Sequence, residues 1–134
     1  MHEGSCLCGS VKITVQGELS APDACHCSQC RRWSGHVWAS TDVLRENLVV
    51  ENGGDQVRWF ASSEKVRRGF CGECGSVLFW DVAGRSRIAV AMGAFETPTG
   101  TRLAKHIFTA DKGDYYAIAD DAPQEPRPPK ADPQ

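Results

Sequence analysis

The segment Val11–Val15 alternates apolar and polar side chains (Val-Lys-Ile-Thr-Val), the period-two pattern of a strand with one buried face. Short apolar stretches at Val37–Ser40, Leu48–Glu51, Val57–Phe60, Val66–Phe70, Val77–Trp80 and Ile88–Met92 predict further strands. Turn formers stand between them: Gly53-Gly54-Asp55, Gly72 and Gly75, Gly84, and Gly93. Many short strands with glycine-containing connections predict a mainly β architecture. Two places read as helix, Ser28–Trp33 and Asp42–Glu46, the second with Thr41 or Asp42 placed to cap its first turn. From Asp120 the pattern stops. Five of the seven prolines fall in residues 120–134, where nothing apolar is larger than alanine, so too little surface can be buried there for independent folding. The expectation is a single domain over residues 1–119 and a Pro-rich tail, 120–134, that is disordered or lies along the surface.

Composition narrows the class of protein. The 134 residues carry a formal net charge of −2, which disfavours nonspecific attraction to nucleic acid or to an anionic membrane. No apolar run approaches the roughly 20 residues that span a bilayer. The opening Met-His-Glu-Gly-Ser-Cys lacks the basic and apolar segments of an export signal, so the cytoplasm is the expected location. Two basic doublets, Arg31-Arg32 and Arg67-Arg68, could form a local patch; the simpler reading is that they are solvated or offset negative charge nearby.

The cysteines change the picture. There are seven, an odd number, in a chain expected in a reducing compartment, so metal ligation explains them better than disulfides. They fall into three clusters: Cys6-Leu7-Cys8, Cys25-His26-Cys27-Ser28-Gln29-Cys30 and Cys71-Gly72-Glu73-Cys74. Tetrahedral zinc draws thiolates in close pairs from separate turns. If Cys71 and Cys74 join Cys6 and Cys8, four thiolates close one site and Cys25, Cys27 and Cys30 form a second. If they join the central cysteines instead, Cys6 and Cys8 are left as a poor two-ligand site, so the first partition is preferred. A four-thiolate site is normally structural, whereas three protein ligands with an exchangeable fourth position is the usual catalytic arrangement. A histidine could close the second site. His2, His26, His36 and His106 are the donors available, and His36, six residues beyond Cys30, is the best placed.

Several segments together resemble the glutathione-dependent formaldehyde-activating (GFA, or CENP-V/GFA) family. They are Gly4-Ser5-Cys6-Leu7-Cys8-Gly9, Ala24-Cys25-His26-Cys27-Ser28-Gln29-Cys30-Arg31 and Arg68-Gly69-Phe70-Cys71-Gly72-Glu73-Cys74-Gly75, with looser likeness at Met92–Pro98 and Lys105–Phe108. The resemblance implies an Mss4-like β fold with two Zn²⁺ per chain. Cys6, Cys8, Cys71 and Cys74 would hold the structural ion, and Cys25, Cys27 and Cys30 the catalytic one. It implies a carbon–sulfur lyase, interconverting S-(hydroxymethyl)glutathione with glutathione and formaldehyde. The chain departs from the family pattern at Phe95-Glu96-Thr97-Pro98, where an acidic segment is usual, and has Tyr115 or Tyr116 where tryptophan is common.

For such a reaction a zinc-bound thiol would be deprotonated. Arg31 and Arg32 could attract glutathione carboxylates, and Trp33 and Trp38 could form an apolar wall, although tryptophans more often serve the core. The expected partner is glutathione or another small thiol adduct, with a homodimer as the candidate assembly and neither nucleic acid nor membrane involved. The competing classes are a zinc-scaffolded binding module and a thiol redox sensor that releases its ion on oxidation.

Overall fold

In the computed structural model, residues 1–128 are described; residues 129–134, the end of the expected tail, lie outside the described residues. Among the described residues, eleven strands are arranged in two sheets. The smaller contains β1 (His2–Ser5), β2 (Lys12–Val15) and β5 (Leu48–Val50), in the order β1-β2-β5. The larger contains β3 (Asp23–Cys25), β4 (Trp38–Leu44), β6 (Val57–Ala61), β7 (Val66–Cys71), β8 (Val77–Val82), β9 (Arg87–Ala91), β10 (Lys105–Ile107) and β11 (Gln124–Glu125). Its order is β11-β10-β3-β4-β9-β8-β7-β6, and only β10 pairs parallel to its neighbours, β3 and β11. One helix, α1 (Ser28–Ser34), follows β3. The mainly β expectation holds. No helix among the described residues is long and apolar enough to cross a membrane.

Alternation within the strands gives the larger sheet two different faces. β9 reads Arg-Ile-Ala-Val-Ala: Ile88 and Val90 enter a buried cluster with Ile13 and Val15 of β2, Val43 of β4 and Phe79 of β8. That cluster joins the two sheets. Ala89 and Ala91 instead lie in a second cluster with Cys25, Cys27, Cys30 and Trp38. Large side chains therefore fill one face, and the small ones on the other leave room above it.

One expectation needs correction. The helix expected at Asp42–Glu46 is the end of β4 followed by a 3₁₀ turn, Arg45–Asn47. Thr41 and Val43 sit opposite Val90 and Ile88 with both side chains buried, so strand pairing overrides the local capping pattern. The Thr41 hydroxyl donates to the Ser20 carbonyl at 2.7 Å and caps nothing. Of the expected tail, residues 120–128 lie along the sheet. The open edge of β10 requires partners, and the extended proline-containing chain supplies them: Pro123 O accepts from His106 N at 2.9 Å, and Pro126 O from Ala110 N at 3.2 Å.

Gly4, in the first cysteine-bearing segment, bridges to Phe95, and a Cβ on it would lie 2.6 Å from the Ala94 carbonyl oxygen. The close approach of two backbones explains glycine there. Gly4→Ala is expected to destabilise the fold by about 1–3 kcal/mol; an unchanged thermal midpoint would show that the two segments can separate freely.

Candidate metal centres and the cavity beside them

The first cluster is built by two turns. Cys6 and Cys8 leave the end of β1, and Cys71 ends β7 with Cys74 in the turn to β8, where Gly75 adopts φ 80° to complete the turn. The four sulfurs all lie within 4.8 Å of one another. A Zn–S bond near 2.3 Å implies tetrahedral edges of about 3.8 Å. Cys6 and Cys8 Sγ are 3.6 Å apart, and Cys8 and Cys71 Sγ 3.8 Å. Backbone N–H groups already point at the sulfurs: Val11 N donates to Cys6 Sγ at 3.2 Å and Glu73 N to Cys71 Sγ at 3.4 Å. Ser10 and Ser76 hydroxyls lie 3.2 Å from Cys8 and Cys74 Sγ, and the Ser76 contact draws the Cys74 thiol down to about 5. Such a donor set favours thiolates and suits a thiophilic dication.

The second cluster is local. Cys25 ends β3, Cys27 is the N-cap of α1, and Cys30 lies in its first turn. The Cys27 sulfur accepts from Cys30 N at 3.3 Å, and Gly35 ends the helix at φ 91°. The three buried sulfurs also lie within 4.8 Å of one another. Thiol hydrogen bonds from Cys25 and Cys30 pull Cys27 down to about 2, and the contact with Cys27 pushes Cys25 far up. Three crowded sulfurs thus resist joint ionisation unless a cation joins them. No disulfide links any of the seven cysteines.

A buried cation does stand beside this cluster. Arg68 of β7, only 2% exposed, donates Nη1 to Cys30 Sγ at 3.6 Å, Nε to Ser62 Oγ at 3.2 Å and Nη2 to Gln29 Oε1 at 3.4 Å. Its guanidinium lies over Trp33, 5.1 Å from the ring centroid. Of the two readings weighed for the basic doublets, Arg68 follows the charge-offsetting one. Arg67 instead pairs with Asp81 at 2.8 Å.

His36 does not close the second site. It is exposed, with Nδ1 2.8 Å from the Tyr115 hydroxyl, and no histidine joins either sulfur cluster among the described residues. His26, buried between Cys25 and Cys27 in the sequence, belongs to a different arrangement. Its Nδ1 is 2.6 Å from Tyr116 Oη, and its Nε2 is 2.8 Å from His106 Nδ1; His106 Nε2 is 2.9 Å from Asp120. Burial holds His26 below the ordinary imidazole range, and the His106 bond holds Asp120 below the carboxylate range. With both rings neutral, one direction satisfies every bond: Tyr116 donates to His26, His26 to His106, and His106 to Asp120. This chain fixes the backbone between two of the clustered cysteines.

Cys25 and Cys30 open onto a cavity of about 450 Å³ with Trp38, Trp80 and Phe108 among its walls. Trp38 is where the sequence suggested an apolar wall. Trp33 packs edge-on behind it, with ring centroids 5.2 Å apart. Neither Arg31 nor Arg32 is part of the lining; among the described residues the cations there are Lys105 and Arg87.

The family model described as glutathione-dependent formaldehyde-activating enzyme matches residues 1–111. The chain belongs to this family. An uncharacterized lyase of Schizosaccharomyces pombe is 27% identical over 119 residues, covering 88% of this chain and 85% of that one. Proteins of Aspergillus flavus and Aspergillus oryzae, provisionally named glutathione-dependent formaldehyde-activating enzymes, are each 34% identical over 77 residues. Those matches cover 55% of this chain and 40% of each relative, so this chain spans under half their length. A crystal structure of a Rhodobacter sphaeroides protein has the same fold, with a TM-score of 0.60 at 22% identity over 75% of this chain and 98% of that one. Tyr116, Asp120 and Glu125 lie beyond the residues that the family model matches.

Proposed function

We propose that this GFA-family chain is a zinc-dependent carbon–sulfur lyase acting on the adduct of glutathione, or another small thiol, with formaldehyde or a related small aldehyde. The observation that carries the reading is the difference between the clusters. Four sulfurs lie within 4.8 Å of one another at the first, enough for a complete ligand set, whereas the second has three and borders a cavity large enough for a small peptide thiol. Cys6, Cys8, Cys71 and Cys74 would hold the structural ion, and Cys25, Cys27 and Cys30 the second. A zinc ion in that three-thiolate setting supplies an exchangeable position at which a thiol sulfur is kept deprotonated.

The protein's own groups do the rest. Trp38, Trp80 and Phe108 exclude water from the approach to the sulfurs. Arg68 offsets the charge accumulated at Cys30. The hydrogen-bonded chain through His26 keeps the cysteine loop in place. In the synthetic direction the substrate thiolate forms a C–S bond to the aldehyde carbon, and the carbonyl oxygen takes up a proton as its π bond opens. In the lyase direction that hydroxyl loses its proton, the carbonyl reforms, and sulfur leaves with the bonding pair. Protein with two zinc ions per chain is expected to speed adduct interconversion, followed by exchange NMR with formaldehyde and glutathione. A rate equal to that of buffer, with both sites loaded, would remove this reading.

A further inference from the structure

We infer that the far end of the cavity is a subsite for an α-amino-acid headgroup, in which Asp23 and Lys105 engage the ammonium and carboxylate of a γ-glutamyl-type thiol. The inference rests on the thiol reading above and assigns its specificity.

Strand register supplies the geometry. Lys105 lies opposite Asp23, and Ile107 lies opposite Cys25, on the same parallel pair of strands. On the other side of β3, Ser40 lies opposite Asp23 and Trp38 opposite Cys25. Asp23 and Cys25 therefore share one face of β3, separated by two residues or about 7 Å of strand. All six of these residues line the cavity. Along these strands the lining passes from sulfur at Cys25 to charge at Asp23 and Lys105.

The charged end is chemically incomplete. The Asp23 carboxylate is half-buried and accepts no hydrogen bond from any described residue. Burial raises its pKa, and the neighbouring Asp42 and Glu125 add to the rise while Lys105 opposes it. Lys105 Nζ donates to Glu125 at 3.0 Å, which leaves further hydrogens on an ammonium with three. Asp42 faces Arg85 at 3.7 Å, and Arg87 donates to the Asp42 carbonyl at 3.2 Å. Among the described residues the facing groups are thus three carboxylates, Lys105 and the two arginines, with Asp23 the carboxylate that accepts no hydrogen bond.

A ligand with an ammonium for Asp23 and a carboxylate for Lys105 satisfies both. The separation from Cys25 and Cys30 requires these charges at the end of an arm, as in a γ-glutamyl group. In free cysteine they adjoin the sulfur and cannot reach both ends.

The test measures binding without turnover. Zinc-loaded protein is titrated calorimetrically with S-methylglutathione, with its analogue lacking the γ-glutamyl ammonium, and with S-methylcysteinylglycine, which lacks the whole arm. Charged hydrogen bonds of this kind lead us to expect Kd to rise about tenfold or more when the ammonium is removed, and further when the arm is absent. Asp23→Asn is expected to raise Kd for S-methylglutathione by a similar factor, yet leave the desamino analogue within about twofold. Lys105→Met is expected to weaken both compounds that retain the arm, because each keeps the carboxylate. Equal affinity for S-methylglutathione and its desamino analogue would overturn the inference. So would equal weakening of the two by Asp23→Asn, or failure of all three ligands to bind wild-type protein. Selective binding without lyase activity would sustain the subsite and remove the reaction; lyase activity indifferent to the ammonium would do the reverse. A thermal midpoint for Asp23→Asn matching wild type excludes misfolding as the cause of weakened binding.

Discussion

Removing the metal is expected to unfold this protein, and Cys71→Ser is expected to do nearly the same. Cys71 is fully buried in the cluster that joins the two sheets, and with Cys6, Cys8 and Cys74 it ties the end of β1 to the β7–β8 turn. Structural zinc contributes about 10–16 kcal/mol in small zinc domains, which matches or exceeds the roughly 5–15 kcal/mol of net stability typical of a domain. Without the ion, four sulfurs remain crowded within 4.8 Å with no cation between them. A strong chelator should therefore abolish the cooperative thermal transition and the near-ultraviolet dichroism of the buried aromatics. Cys71→Ser should bind no more than one zinc and show the same losses. Cys30→Ser is the contrasting variant: its cluster lies on the opposite face of the larger sheet, so the first ion and a cooperative transition should both persist. Apo-protein with the denaturation midpoint of the zinc-loaded form would contradict the structural assignment.

Arg68→Met should cost about 3–5 kcal/mol, because it removes one partner from a buried, charge-bearing contact and leaves the other behind. The methionine approximates the bulk of the arginine stem but offers nothing to Cys30, Ser62 or Gln29. The affinity of the second site for zinc should fall as well, since the thiolate charge loses its buried counterion. Arg68→Lys should recover only part of the loss: an ammonium keeps the charge but cannot reproduce the planar fork or its stacking over Trp33. Urea denaturation measures the first effect, and competition with a chromogenic chelator the second. A methionine variant with wild-type midpoint and affinity would mean that Arg68 is a spectator.

The parts visible in the sequence were those with a periodic or spaced signature. The alternation of Val11–Val15 and the apolar stretches from Val37 to Met92 marked β2, β4, β5, β6, β7, β8 and β9. Cysteine spacing separated the clusters into four and three, and the structure brings the sulfurs together in those groups. The strands left unmarked, β1, β3, β10 and β11, are two to four residues long, and none has a repeating apolar face. β3, β10 and β11 exist because their neighbours supply ladder partners, a tertiary cause that no local window contains. They also carry Asp23, Lys105 and Glu125, so the cavity's chemistry was hidden along with them. Nothing in the sequence around Arg68 marks it as the buried member of its doublet. Its side chain points inward while Arg67 reaches Asp81 on the neighbouring strand, a distinction set by strand register. The contact of His106 with His26 spans 80 positions and has no sequence signature.

The parallel pairing of β3 with β10 also bears on how the protein is made. A ribosome adding about 5–20 residues per second releases the Cys25–Cys30 loop roughly 4–15 s before Ile107, the residue that lies opposite Cys25. The strap carrying Tyr116, Asp120 and Glu125 emerges later still. At the end of that interval Phe108 and the strap are still missing, so the cavity that covers the three thiols is incomplete. The four-thiolate ion must wait only for Cys74. The four-thiolate ligand set is therefore complete before the cavity is enclosed.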